Sequence, residues 1–308
     1  MRIALTSEQE DLRQTVCTLA DRFGAVSLSG SRMEIEAGQA GRALDQFGID
    51  TVVQEQADAP WKGCIEAAVI TTELARRLVP GTGLGRTLLA APILRLLGCP
   101  TQRSTLVLAM SLSEGVIGHD AASGVAWDCD GSDSCVAIRL GSAKLDILRE
   151  ALPGDNGYAF DLTRSTGTIE FNDTPEVSLD VREVPTDLLN RWRAWCFTAV
   201  AADTLGVMEG AQEITTAYAK ERHQFGRSIA SFQAVQHLLA DQYVALRGAR
   251  VAVYHAAWAL EELSADEALN AAHVAKAQTA AAVVLAAETM VQVHGGIGFT
   301  WEHGAHLY

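Results

Sequence analysis

No CxxC pair occurs in this sequence; its six cysteines, at positions 17, 64, 99, 129, 135 and 196, stand singly. That spacing excludes a disulfide framework and a thiolate metal knuckle, leaving reduced thiols as the expectation. No unbroken run of 18 apolar residues exists, so no membrane-spanning segment is expected. Met1 to Glu10 turn acidic by the eighth position and lack an apolar stretch, which argues against a secretory signal. A cytoplasmic location is the expectation. Positive charge is also scarce: 24 Lys and Arg against 38 Asp and Glu give a net charge of −14. Such a surface repels polyanions, so neither nucleic acid nor an anionic membrane is an expected partner. At 308 residues and 48% hydrophobic, the chain is too apolar for a disordered protein.

Proline is missing from the last 123 residues, all seven prolines lying at or before Pro185. Proline breaks helix interiors, so this alanine-rich stretch reads as a helical bundle. Within it Phe232, Val235, Leu239, Tyr243, Leu246, Ala249, Val253, Ala257 and Leu260 recur at helical steps, one stripe of a single helix. A second helix is expected from about Asp266 to His294 and a third from Trp195 to Glu221. The chain to about residue 102 also reads as helical. One helix opens at Ser7 with Thr6 or Ser7 as N-cap; others cover Cys64–Leu78 and Thr87–Leu97, the latter interrupted by Pro92. Between them, runs such as Thr105–Leu108, Cys135–Ile138 and Thr168–Phe171 lie among Gly, Asp and Ser clusters and read as strands. The expected order is helical (1–103), β (104–182) and helical (183–308).

Two motifs carry chemistry. In the first, Glu221-Arg222-His223-Gln224-Phe225-Gly226, a helix stops at Gly226 and restarts near Ser228 to Ser231. Arg222, in the last turn before the break, has a guanidinium suited to paired bonds with a diphosphate. It is equally suited to the carbonyls of its own helix terminus. In the second, Gln292-Val293-His294-Gly295-Gly296-Ile297-Gly298-Phe299, the glycines end the alanine-rich helix and leave room for close approach. Gln292 brings an amide one turn earlier. Taken singly, this motif is also a plain helix cap. Elsewhere, Gly81, Gly83 and Gly85 imitate a dinucleotide loop, but no strand precedes them and a flexible loop is expected. His303 and His306 lack a third ligand and read as exposed histidines with no metal. Glu261-Glu262 reads as a solvated face.

Together, R-x-Q-F-G at 222–226, F-Q-x-x-Q at 232–236, L-A-D at 239–241 and Q-x-x-G-G-x-G at 292–298 resemble the C-terminal signature of acyl-CoA dehydrogenases. Leu5 to Phe23 is similar to that family's opening helix. The resemblance implies a mainly α fold with a middle β domain: an N-terminal helical domain, a β domain and a C-terminal four-helix bundle. It implies FAD as cofactor and an acyl-CoA as substrate. Arg222, Gln224 and Phe225 would meet the pyrophosphate and adenosine end of FAD, and Gln292, Gly295 and Gly296 would line the same end. In the family these groups reach the flavin of a neighbouring subunit. On a chain this acidic, any phosphate site must be local.

The rest of the family's machinery does not match. Its reaction removes an α-proton with a glutamate while hydride leaves to the flavin. Aligned on Leu205-Gly206-Val207-Met208, one known glutamate position falls on Cys196, and the arginine that follows it falls on Phe197. The other known position lies beyond Tyr308. Ala109 to Gly115 stand where a T-E-P-x-x-G-S-D segment holds the flavin ring, and Trp127 is at most a remnant of the covering tryptophan strand. No catalytic residue is therefore assigned. The chain resembles the companion subunit of heteromeric, steroid-CoA type dehydrogenases. That implies a heterotetramer with a second acyl-CoA dehydrogenase chain, and an electron-accepting flavoprotein as a further partner. Two other readings stay open: a competent enzyme whose base lies past residue 308 or is replaced by Asp203, and a helical scaffold that binds no flavin. Asp203, seven residues from Cys196, lies about 10 Å further along the helix.

Overall fold

The computed structural model describes residues 4–24, 39–44, 46, 61–100, 103–109, 123–129, 131–140, 144–152, 161, 163–171, 174–180 and 183–308. Helix α1 (Ser7–Phe23) starts in a capping box: the Thr6 hydroxyl accepts from Gln9 N, and the Gln9 amide oxygen accepts from Thr6 N. Helix α2 (Cys64–Arg76) follows, then a π-helical turn at Gly85–Ala90 and α3 (Ala91–Leu96). Pro92 causes that irregularity. It has no N–H for the Leu88 carbonyl four residues back, and the ladder shifts so that Ala91 N donates to Arg86 O. The Leu88 carbonyl is met instead by the Trp195 indole N–H, and Leu89 O by that of Trp192 at 3.1 Å.

Six strands form one sheet in the order β5-β2-β1-β3-β4-β6. They are β1 (Ser104–Ala109), β2 (Ser123–Trp127), β3 (Ser134–Leu140), β4 (Lys144–Ala151), β5 (Thr166–Glu170) and β6 (Val177–Asp180). β1 and β3 are parallel and every other pair is antiparallel. The three expected strand runs coincide with β1, β3 and β5. β2, β4 and β6 lie outside those three runs, β2 ending on Trp127.

The C-terminal part holds three long helices: α4 (Thr186–Glu221), α5 (Gln233–Glu262) and α6 (Ala265–His294). α4 starts nine residues earlier than expected, at Thr186 rather than Trp195, directly after Pro185. α6 is capped by Ser264 and Glu267. Asn190 donates to Asp266 at 2.8 Å at one end of the bundle, while the rings of Tyr218 and His294 stack at the other. α4 and α6 therefore run parallel, with their C-termini side by side, and α2 packs across α4. Trp192 and Trp195 are the largest fully buried side chains and sit where these layers meet. The span Ala265–Phe299 is long and apolar enough to cross a membrane by length and composition, although Lys276 and His273 interrupt it. Its alanines at 268, 271, 272, 275 and 286 are buried within the core.

Candidate functional site

Arg222 lies just outside α4 as its C-cap, extended at φ −72° and ψ 124°, rather than in its last turn. Its backbone closes the helix by donating to Tyr218 O at 2.8 Å. The break is a hairpin, not a simple stop: His223–Gln224 pairs with Arg227–Ser228 around a two-residue turn. Both turn residues have positive φ, Phe225 at 52° and Gly226 at 75°. Two such residues in sequence make the turn type that suits hairpin twist. Glycine takes that conformation freely, whereas a phenylalanine there is unusual and marks a constrained site. The Phe225 side chain is 92% exposed, edge-on to Phe232, over which Arg227 stacks at 4.1 Å. Among the described residues Arg222 makes no ion pair, so its charge faces solvent.

Gly295 caps α6 at φ 62° and ψ −136°, a conformation closed to most side chains. A Cβ at Gly295 or Gly296 would meet nothing within 4 Å. Beside them an open groove of about 860 Å³ is lined by Gln292, Gly295, Gly296, Leu238, Leu285 and Phe299, among others. The structure thus gathers Gln292, Gly295 and Gly296 along one groove. Arg222, Gln224 and Phe225 are on the exposed hairpin at the same end of the bundle but do not line the groove. Tyr218, just before the first motif, stacks on His294 of the second, and the sequence reading gave neither a role. Their signal was spacing: Tyr218 is one helical turn before Arg222, and His294 adjoins Gly295.

Cys196, where the resemblance would place a glutamate, is fully buried in the core with Trp192 and Trp195, and burial pushes its thiol far above the ordinary range. Phe197 rests edge-on against His273 at 5.0 Å. Asp203, the substitute considered above, is engaged: Arg164 Nη2 donates to its Oδ1 at 2.7 Å, and these side chains are 3% and 16% exposed. Arg164 also donates to Val79 O, tying the β domain to both helical parts. A carboxylate held this way is anchored as a counter-ion. Of the Ala109–Gly115 segment, residues 110–115 lie outside the described residues. Trp127 ends β2, its carbonyl accepting from Thr105 Oγ1 at 2.8 Å.

Three expectations need correction. Glu261 is no solvated residue: it accepts from Cys64 N at 2.8 Å and so caps α2, and burial, opposed by such backbone bonds, raises its carboxyl. Residues 81–85 form no exposed flexible loop. They are buried, Asp128 accepting from Thr82 Oγ1 and Leu84 N, with Gly85 against Trp127 O. His303 is not a plain exposed histidine, because its ring lies 4.1 Å from that of His294. No cluster of three or more metal-binding side chains occurs among the described residues.

Residues 194–308 match the family model described as acyl-CoA dehydrogenase, C-terminal domain. The acyl-CoA dehydrogenase IpdE2 of Mycobacterium tuberculosis is 31% identical over 306 residues, covering 98% of this chain and 89% of that protein. Among solved structures, the ChsE4–ChsE5 complex from Mycobacterium tuberculosis superposes with a TM-score of 0.77 at 24% identity, covering 100% of this chain and 92% of that one. The Tcur3481–Tcur3483 steroid ACAD variant gives 0.75 at 24% identity, covering 98% and 90%. With near-full-length identity at this level and the family's fold throughout, the chain belongs to the acyl-CoA dehydrogenase family.

Proposed function

We propose that this chain is the companion subunit of a heteromeric FAD-dependent acyl-CoA dehydrogenase. It lends the adenosine and pyrophosphate half of a cofactor site to a second acyl-CoA dehydrogenase chain. That second chain supplies the flavin-ring cradle, the proton-abstracting carboxylate and most of the acyl pocket. The observation that carries this reading is Cys196, a buried thiol sealed beside two indoles where the family places its base. A thiol raised by burial does not abstract a weakly acidic α-proton, and no substrate reaches it.

The residues present fit one end of the dinucleotide. The unpaired Arg222 guanidinium offers a fork to the pyrophosphate oxygens, with Gln224 and Phe225 beside it on the hairpin. Gln292 would present its amide to a polar edge, and the bare backbone at Gly295 and Gly296 admits close approach. When bound, FAD accepts the β-hydrogen of the acyl-CoA as hydride. This chain's part is to bind and orient its distal half. A bulky, steroid-derived acyl group is the substrate class we favour, supported by the likeness to the Tcur3481–Tcur3483 steroid ACAD. A cytoplasmic location goes with this reading, and electrons would pass on to an acceptor flavoprotein.

The test is flavin per chain, measured on the chain alone and on the co-purified pair. The expected result is little flavin on the lone chain and a full complement on the pair. Arg222→Ala should weaken FAD retention in the pair by about 10–100-fold, the worth of one charge-assisted contact at roughly 1.5–3 kcal/mol. Full flavin with turnover on the lone chain overturns the reading. A colourless pair indifferent to Arg222→Ala would favour a scaffold instead.

A further inference from the structure

The end of α6 holds a buried group that the cradle itself does not use. His294 is 4% exposed, and its Nδ1 stands 2.7 Å from Met290 O. A carbonyl only accepts, so the proton sits on Nδ1. Nε2, equally buried, has no hydrogen-bond partner. The three rings form a triangular cluster: the Tyr218 ring lies 4.3 Å from the imidazole at 30°, the His303 ring 4.1 Å from it at 44°, and Tyr218 meets His303 edge-on at 6.3 Å. The Tyr218 hydroxyl also donates to His294 O at 3.5 Å. These three rings therefore join the last turn of α4, the last residue of α6 and the terminal segment.

We propose that this stack positions the nucleotide cradle, keeping the Arg222 end of α4 in register with Gly295–Gly296, and that it does so only while His294 is neutral. The proposal rests on the companion-subunit reading of that cradle. His294 is a positioning residue, acting through the backbone of Gly295 and through Tyr218.

The neutrality requirement comes from geometry. A proton added at Nε2 would lie in a buried space with no acceptor, against another imidazole. Burial holds His294 below the ordinary imidazole value of 6.5, with the Met290 carbonyl opposing. His303 is also held low, first by burial and then by His294 and His306. The titratable groups facing His294 are Tyr218 from α4 and His303 from the terminal segment. His306 stands behind His303, its Nδ1 donating to His303 O at 2.8 Å. No carboxylate bonds to either ring among the described residues. The sign follows: above pH 6.5 the stack is neutral whether docked or released, and its stability is fully present. As pH falls below that value the released form takes up the proton first, and stability drains away through the lower docked pKa.

The experiment follows flavin release from the co-purified pair by fluorescence, from about pH 8 down to about pH 5. The wild-type pair should release flavin about tenfold faster at the acid end. His294→Phe keeps a ring that stacks but cannot titrate; it should retain flavin at neutral pH and flatten the acid step. His294→Ala should release flavin roughly tenfold faster at every pH. Tyr218→Leu removes the ring that meets both His294 and His303 and should act like His294→Ala, even where the phenylalanine variant does not fold. An acid step unchanged in His294→Phe, or wild-type retention in His294→Ala and Tyr218→Leu, overturns the proposal. Arg222→Ala runs in parallel. If it leaves flavin bound, the cradle reading itself fails; if it strips flavin while the stack variants change nothing, only the positioning role fails.

Discussion

A glutamate at position 196 would enter the hydrophobic core, where Cys196 is wholly buried and its neighbour Trp195 is bonded to Leu88 O. Burial alone shifts the Cys196 thiol among the described residues, so a carboxyl there would stay protonated or force the indoles apart. Cys196→Glu should therefore lower stability by about 3–5 kcal/mol and restore no turnover to the lone chain, read by thermal unfolding and by acyl-CoA oxidation. Turnover without loss of stability would show that position 196 is still an active-site position. Asp203 gives the companion case. Asp203→Asn removes the carboxylate bonded to the buried Arg164, leaving Asp128 and Asp161 as its counter-charges, and should cost about 3 kcal/mol, while flavin-normalised activity of the pair stays unchanged. The first of these sites was legible in the sequence, because counting back from Leu205 along one helix finds Cys196. The second was not. Arg164 and Asp203 are 39 residues apart in different elements, and no local pattern encodes their meeting.

Helices were the most legible elements, since their apolar steps and absent prolines are local signals. α5 and α6 fall within a few residues of expectation. The hairpin at 223–228 was hidden because a two-residue strand is too short for any period, and β4 because its alternation, Lys144–Ala151, was not separated from the turn residues around it. The packing between elements was hidden too, and two glycines inside helices separate the cases. A Cβ on Gly206 would stand 2.2 Å from Thr72 O and 2.7 Å from the Ala75 methyl, because α2 crosses α4 there. Gly206→Ala must push the helices apart and should cost about 3 kcal/mol. Gly248, on the open side of α5, has nothing within 4 Å. Gly248→Ala should gain about 0.5–1 kcal/mol from helix propensity alone. Denaturant midpoints of the two variants must move in opposite directions; a shared direction would mean that the α2–α4 crossing is looser than described.

At the scale of the whole molecule, the bundle leaves an apolar face uncovered. Val244 and Val251 on α5 are 70% and 44% exposed, and Val274 and Leu285 on α6 are 54% and 37%. Each pair is spaced by nearly whole helical turns, so each lies on one face. An apolar strip on a chain of net charge −14 is poor design for a molecule that works alone, and it supports subunit association. Burying one such side chain contributes about 1.5–3 kcal/mol, so two buried together decide whether a complex holds. The double change Val274→Asp with Leu285→Asp places charge on that strip while leaving the α4-facing alanines intact. The lone chain should keep its helical circular dichroism, and the pair should dissociate at concentrations where the wild-type pair is intact on size-exclusion chromatography. Flavin should be lost together with the partner; because Leu285 also lines the groove beside Gly295 and Gly296, Val274→Asp alone, which lies outside that groove, should weaken the pair and its flavin retention together. A pair that survives with its flavin would mean that the partner meets this chain elsewhere, and the strip would then be no part of the shared cofactor site.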